Sequence, residues 1–133
     1  MKYYYGIIIN VFITGTNTSI RLEFVKQYAG DSYKVFATYN PQCPLEQLQT
    51  IAYSNNNIIL LPLDVTNEKR IKALADQFKN EPIDILINNA GIFGQNQDLE
   101  SISKEMMIKV FSVNIVKPLL VAKYFLPHVK YSN

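Results

Sequence analysis

The chain has 133 residues with a formal net charge of +2; 48% of its residues are hydrophobic and 18% are charged. This composition predicts one globular domain and excludes disorder, a coiled coil or a disulfide scaffold, and the small, scattered positive charge argues against a nucleic-acid partner. Cys43 is the single cysteine, and neither it nor the lone His128 has partners for a metal site, so we expect no metal and a reduced, cytoplasmic setting.

The first predicted element is a buried strand over 7–13, "IIINVFI". Residues 1–8 are interpreted as a lead-in, so that the domain proper covers 9–133. The apolar run is shorter than the roughly 20 residues that a membrane span requires, and no small-residue cleavage pattern precedes the fold. We therefore expect neither a targeting signal nor a membrane partner.

Strand-like and helical patterns then alternate along the chain. Predicted strands follow at 33–38, 57–63 and 82–88. Predicted helices include one with Leu22, Val25 and Ala29 on its apolar face, one over 45–53, one capped by Thr66 with Ile71, Leu74, Ala75 and Phe78 at helical spacing, and a long one from Ser103 to about Phe125. The alternation predicts an α/β fold, a doubly wound parallel sheet.

In such sheets ligands bind outside the carboxyl ends of the strands, where the strand order reverses. The segments predicted at those ends are 14–21, 38–41, 64–66 and 88–94. These segments are therefore the candidates for chemistry.

Three of these segments carry motifs. They are "TGTNTSIRLEFVKQYA" (14–29), "DVT" (64–66) and "NNAG" (88–91), and Asn114 follows in the last predicted helix. With these motifs the chain resembles the N-terminal half of a short-chain dehydrogenase/reductase, a family of NAD(P)-dependent oxidoreductases with a Rossmann-type fold. It looks most like bacterial carbonyl-reductase-like members, whose turn reads T-G-A-N-R-G-I-G-L-E-F-V. The resemblance implies that 9–133 form a partial NAD(P)-binding domain.

The resemblance also implies which residues contact the cofactor. These are Thr14, Gly15, Asn17, Ser19, Ile20, Asp64, Val65, Asn88, Ala90 and Gly91. Gly15 allows a sharp exit from the first strand, and the following helix directs its amides and positive dipole end at the pyrophosphate. Asp64 and Val65 would meet the adenine, Asn88 would tie neighbouring strand ends, and small Ala90 and Gly91 would let the ribose approach.

Simpler interpretations exist for the single motifs. Taken alone, Asp64 after a strand is as typical of a turn former or helix cap as of a cofactor contact. Taken alone, "NNAG" is typical of an ordinary turn. The combination of both motifs at successive strand ends favours the family.

Asn114 is the candidate catalytic residue. Met107, Val110, Phe111 and Asn114 share one helical face, and Pro118 lacks the N–H that would bond the Asn114 carbonyl. The sequence therefore predicts a helix opened locally at Asn114, and in the family the matching asparagine holds a water of the proton relay. The alternative is a buried asparagine bonded to a neighbouring helix.

The glycine turn departs from the family pattern at two positions. Ser19 and Arg21 stand where the family has glycine, and overpacking by the larger arginine is expected to weaken binding by about 1–3 kcal/mol unless its side chain reaches solvent. The alternatives are that the Ser19 hydroxyl donates to a phosphate and that Arg21 pairs with a phosphate. The second strand ends in "TYN" (38–40), without the acid typical of NAD-preferring members or the arginine that favours NADP. Weak binding of NADP or NAD is expected, with NADP preferred because no acid would repel its phosphate.

The family's catalytic serine and Tyr-x-x-x-Lys pair find no match in this chain, since no tyrosine has a lysine four residues later. The tyrosine is the family's general acid/base. The sequence thus predicts a truncated oxidoreductase, inactive alone, with its sheet ending after the fourth strand. Its uncovered last helix and sheet edge favour self-association. Two alternatives are a non-enzymatic interaction module and one half of a split enzyme.

Overall fold

A computed structural model describes residues 3–4, 6–17, 20–93 and 98–130. The main sheet consists of β3 (Asn10–Ile13), β4 (Lys34–Tyr39), β5 (Ile58–Pro62) and β6 (Ile85–Ile87). The helices are α1 (Ile20–Gly30), α2 (Glu46–Tyr53), α3 (Glu68–Gln77), α4 (Lys104–Phe111) and α5 (Lys117–Lys130), with a π-helical segment at Ser112–Val116 and a 3₁₀ turn at Leu99–Ser101. These elements form the predicted α/β architecture.

The four strands of the main sheet are parallel and lie in the order β5-β4-β3-β6. The first strand of the sheet, β3, is central because the chain moves outward to β4 and β5 and then returns to the other side for β6. The strand order therefore reverses between β3 and β6, which is where a doubly wound sheet forms its ligand crevice.

Both faces of the sheet are covered, as the continuous apolar strands predict. Neighbouring residues of β3 point to opposite faces. Phe12 packs on the face of α3 and α5, with its ring centroid 4.5 Å from that of Phe125. Val11 and Ile13 pack on the other face with Val25 of α1 and Leu48 of α2. The carboxyl ends of the strands, which carry the predicted motifs, are thus fixed by a hydrophobic core on each face of the sheet.

The lead-in differs from the single strand predicted over 7–13. Strand β1 (Tyr3–Tyr4) pairs antiparallel with β2 (Ile7–Ile8), and only β3 joins the main sheet. Gly6 between them has a φ of 83°, a left-handed conformation that glycine adopts without strain. The predicted run therefore divides into a small hairpin and a core strand.

Two helix predictions also change. Asn67, not Thr66, caps α3, because the Asn67 side chain accepts a hydrogen bond from the Arg70 amide. Ser103 caps α4 as predicted, by accepting from the Met106 amide.

The long last helix is opened in its middle, as Asn114 and Pro118 predicted. Its middle turn is the π-helical segment, where the Lys117 amide donates to the Ser112 carbonyl five residues earlier. The helix continues beyond the predicted end at Phe125 to Lys130. Within the ranges described, no helix combines the length and apolar character needed to cross a bilayer.

Candidate functional site

Thr14 fastens the turn after β3 to the loop after β6. Its amide donates to the Ile87 carbonyl at 3.0 Å. Its Oγ1 accepts from the amides of Asn89 and Ala90, at 3.0 and 3.3 Å. Thr14 is 1% exposed and links the two strand ends. Its predicted contact with the cofactor stays a prediction.

Gly15 lies directly against Ala90. It has a φ of 65°, and a Cβ built on it would lie 2.7 Å from the Ala90 Cα. Both the left-handed backbone and the missing side chain are therefore needed here. The contact brings the two loops together at the point where the strand order reverses.

The rest of the turn is held by polar side chains. The Thr16 amide and hydroxyl both donate to the Thr38 carbonyl, at 2.9 and 3.0 Å. Asn17 accepts from the Asn40 amide at 2.8 Å and donates to the Pro44 carbonyl at 3.1 Å. This turn contains one glycine, and side-chain hydrogen bonds fix it to the end of β4 and the loop that follows.

Two further predicted contacts flank this turn. Ile20 is the first residue of α1 and is 75% exposed, so its amide lies at the open end of the helix. Ser19 lies outside the described residues. Its predicted phosphate contact stays a prediction.

Asp64 forms a turn, as its simpler interpretation predicted, and it also lines a cavity. Its Oδ1 accepts from the Thr66 amide at 2.9 Å and the Thr66 hydroxyl at 2.6 Å, which forms the turn before α3. Asp64 and Val65 nevertheless both line the cavity described below. The turn orients the carboxylate at the end of β5.

Asn88 contacts a different element from the one predicted. Its Nδ2 donates to the Pro118 carbonyl at 3.2 Å, so it ties the end of β6 to α5 rather than to a neighbouring strand. The link between strand ends is made by Thr14 instead.

Asn114 holds the loop after β6 with two hydrogen bonds. Its Nδ2 donates to the Ile92 carbonyl and its Oδ1 accepts from the Ile92 amide, both at 2.8 Å. A Cβ on Gly91 would lie 3.3 Å from this Oδ1, so the loop approaches the helix closely. The alternative of a buried asparagine bonded to another helix is wrong, since Asn114 is exposed and bonds to a loop. Its role in proton transfer stays a prediction.

Two cationic side chains also reach the crevice. The Arg21 Nη2 donates to the Gly91 carbonyl at 2.6 Å, so the half-buried side chain crosses from α1 to the loop after β6 instead of reaching solvent. Lys109 of α4 lines the same cavity. Sequence reasoning gave Arg21 two interpretations, an obstruction or a phosphate partner, and missed Lys109, because no motif marks a helix that packs beside the loop.

These segments surround one cavity of about 350 Å³. It is lined by Gly15, Asn17, Arg21, Asn40, Gln42, Cys43, Leu63, Asp64, Val65, Thr66, Ala90, Gly91, Ile92, Lys109 and Val113. Six of the predicted cofactor contacts therefore share one crevice, whereas Thr14, Ile20 and Asn88 are outside its lining. The volume lies within the range of small-molecule sites.

Comparisons with known proteins point to one family. The family model described as short chain dehydrogenase matches residues 9–133. The chain is 31% identical over 127 residues to human (Homo sapiens) 17-beta-hydroxysteroid dehydrogenase type 1, covering 90% of this chain and 38% of the relative. The NADPH-bound carbonyl reductase from chicken fatty liver superposes with a TM-score of 0.82 at 32% identity, covering 92% of this chain and 49% of that one. The NADP-bound ElxO structure has a TM-score of 0.82 at 26% identity, with 95% and 52% covered. The chain thus spans about half the length of these proteins, or less.

Gly15→Ala tests the contact between the two loops. The added methyl would meet the Ala90 backbone at 2.7 Å in a left-handed conformation, so we expect unfolding free energy to fall by at least about 1–3 kcal/mol in urea titrations. Gly30→Ala is the matched control, because a Cβ at the end of α1 meets nothing within 4 Å. The control is expected to be neutral or stabilising by up to about 1 kcal/mol. Equal losses in both variants would contradict the close contact.

Proposed function

The chain belongs to the short-chain dehydrogenase family, and we propose that its crevice binds a nicotinamide dinucleotide for redox chemistry between a carbonyl and an alcohol. The observation that carries the proposal is the convergence of Gly15, Asp64, Val65, Ala90 and Gly91 around one cavity. These residues come from the ends of three strands, β3, β5 and β6. Such convergence at the reversal of strand order is typical of a dinucleotide site.

The crevice offers suitable groups along its length. The Asp64 carboxylate accepts hydrogen bonds, as an adenine amino group requires, and Val65 adds an apolar wall beside it. Gly15 and Ala90 present closely packed backbone without bulky side chains. The first amides of α1 lack helical partners and lie at its positive end, which favours a pyrophosphate.

A bound nicotinamide would supply or accept the hydride, and the proton must come from a protein group. In the family that group is a tyrosine assisted by a lysine four residues later, a pair that these 133 residues do not contain. We propose that these 133 residues bind the dinucleotide and that the proton-donating pair is supplied from outside them. A separate polypeptide that supplies the pair would form a split enzyme with them.

We further propose that NADP is preferred over NAD. No carboxylate follows β4, where Asn40 stands, so nothing there repels a 2′-phosphate. An adjoining cavity of about 410 Å³ is lined by Asn40, Gln42, Asp64 and Arg70 among others. Arg70 offers a cation to such a phosphate, while the Asp64 carboxylate is held at the turn before α3 by its hydrogen bonds to Thr66. A cytoplasmic setting is proposed with it, supported by the free, exposed thiol of Cys43.

Titration with NADPH, followed by nicotinamide fluorescence, tests this function. We expect saturable binding below about 1 mM and weaker binding of NADH. Arg70→Gln is expected to raise the Kd for NADPH about tenfold and leave that for NADH unchanged, because it removes a charge-assisted hydrogen bond. Lys72→Gln removes a charge from the same helix outside both cavities and serves as the control. The absence of saturable binding would reject the dinucleotide site.

A second function, self-association, is favoured by an exposed apolar face. Met107, Phe111, Ile115 and Leu119 are spaced four residues apart from α4 to α5, and each is more than half exposed. Contiguous apolar surface of this kind marks interaction sites. We propose that this face pairs with a second copy of the chain, which is the interaction-module alternative.

Analytical ultracentrifugation tests the association. We expect a dimer whose dissociation constant rises at least about tenfold in Phe111→Asp, because a charge would be buried at the contact. Tyr53→Asp is the control, since Tyr53 is 96% exposed on α2, away from this face. A wild-type monomer at all concentrations would reject self-association and leave dinucleotide binding to its own test.

A further inference from the structure

We propose that Arg21, which stands at a glycine position of the family pattern, is a phosphate ligand of the crevice. The inference rests on the proposed function, since it assigns the part of the dinucleotide that Arg21 recognises. Of the two interpretations of Arg21 that the sequence allows, it selects phosphate pairing over obstruction.

The position of Arg21 is suited to an anion. It is the second residue of α1, an 11-residue helix whose first amides point out of its N-terminus. Its half-buried side chain lines the cavity together with Gly15 and Gly91, and its Nη2 lies 3.8 Å from a Cβ built on Gly91. A phosphate that meets the end of α1 therefore also meets the guanidinium.

The guanidinium of Arg21 has donors left for a ligand. A guanidinium carries five N–H donors, and the bond to the Gly91 carbonyl occupies one of them. Among the residues described, no carboxylate forms an ion pair with it. The bond to Gly91 thus orients the group across the crevice, and the remaining donors can form paired hydrogen bonds with phosphoryl oxygens.

The crevice carries its negative and positive side chains in different places. Asp64 lies at the end of β5, whereas Arg21 joins the ends of β3 and β6, two and three positions along the sheet. With strands about 4.8 Å apart, the carboxylate and the guanidinium are separated by about 10–15 Å. Lys109 adds a second cation to the cavity. A ligand with a hydrogen-bond-donating ring at one end and phosphates at the other, such as an adenine nucleotide, matches this distribution.

Binding of NADPH to Arg21→Met tests the inference. The change keeps an unbranched side chain of similar reach and removes the charge and all donors. We expect the Kd for NADPH to rise about tenfold to hundredfold, and the dependence of log Kd on log salt concentration to become shallower. Lys26→Gln removes an equal charge from an exposed position of the same helix and is expected to change neither quantity.

Arg21→Lys keeps the charge and loses the planar fork, so an intermediate Kd with the wild-type salt dependence is expected. Circular dichroism of each variant verifies the fold, and the lysine variant carries the test if the methionine variant unfolds. Tighter or unchanged NADPH binding by Arg21→Met, with wild type binding saturably, would overturn the phosphate role and leave the proposed function standing. Failure of the wild-type chain to bind NADPH or ADP at all would overturn both.

Discussion

The close contact between Gly15 and Ala90 is the constraint on which the site depends. Parallel pairing of β3 with both β4 and β6 brings their carboxyl ends to one edge, but pairing alone leaves the loops free to diverge. Thr14 joins them through hydrogen bonds of its amide and its Oγ1, and Gly15 allows the backbones to touch. The crevice forms on the open side of this joint.

Beyond the contact between Gly15 and Ala90, polar side chains rather than glycines shape the crevice. Asn17 holds the loop after β4, Asn114 holds the loop after β6, and Arg21 links that loop to α1. The family turn has three glycines. Here one of them remains, and hydrogen bonds of polar side chains hold the surrounding loops. The arrangement keeps one crevice at the ends of three strands and changes the side chains that line it.

The sequence predicted the elements whose cause is local. Continuous apolar runs predicted parallel strands covered on both faces, and Pro118 predicted the opened helix at Asn114, because a missing N–H acts on the residue four positions earlier. Long-range contacts could not be predicted in this way. The partner of Asn88 and the path of the Arg21 side chain depend on how α5 and the loop after β6 pack in three dimensions. The competition between Thr66 and Asn67 for the helix cap was decided by Asp64, which bonds to Thr66.

The central claim is that three strand ends form one site for one ligand. Amide chemical-shift mapping by NMR during titration with NADPH tests it most directly. We expect the amides of Gly15, Val65 and Gly91 to shift together with a single dissociation constant. Shifts confined to the apolar face of α4 and α5, with these three amides unmoved at saturation, would contradict it.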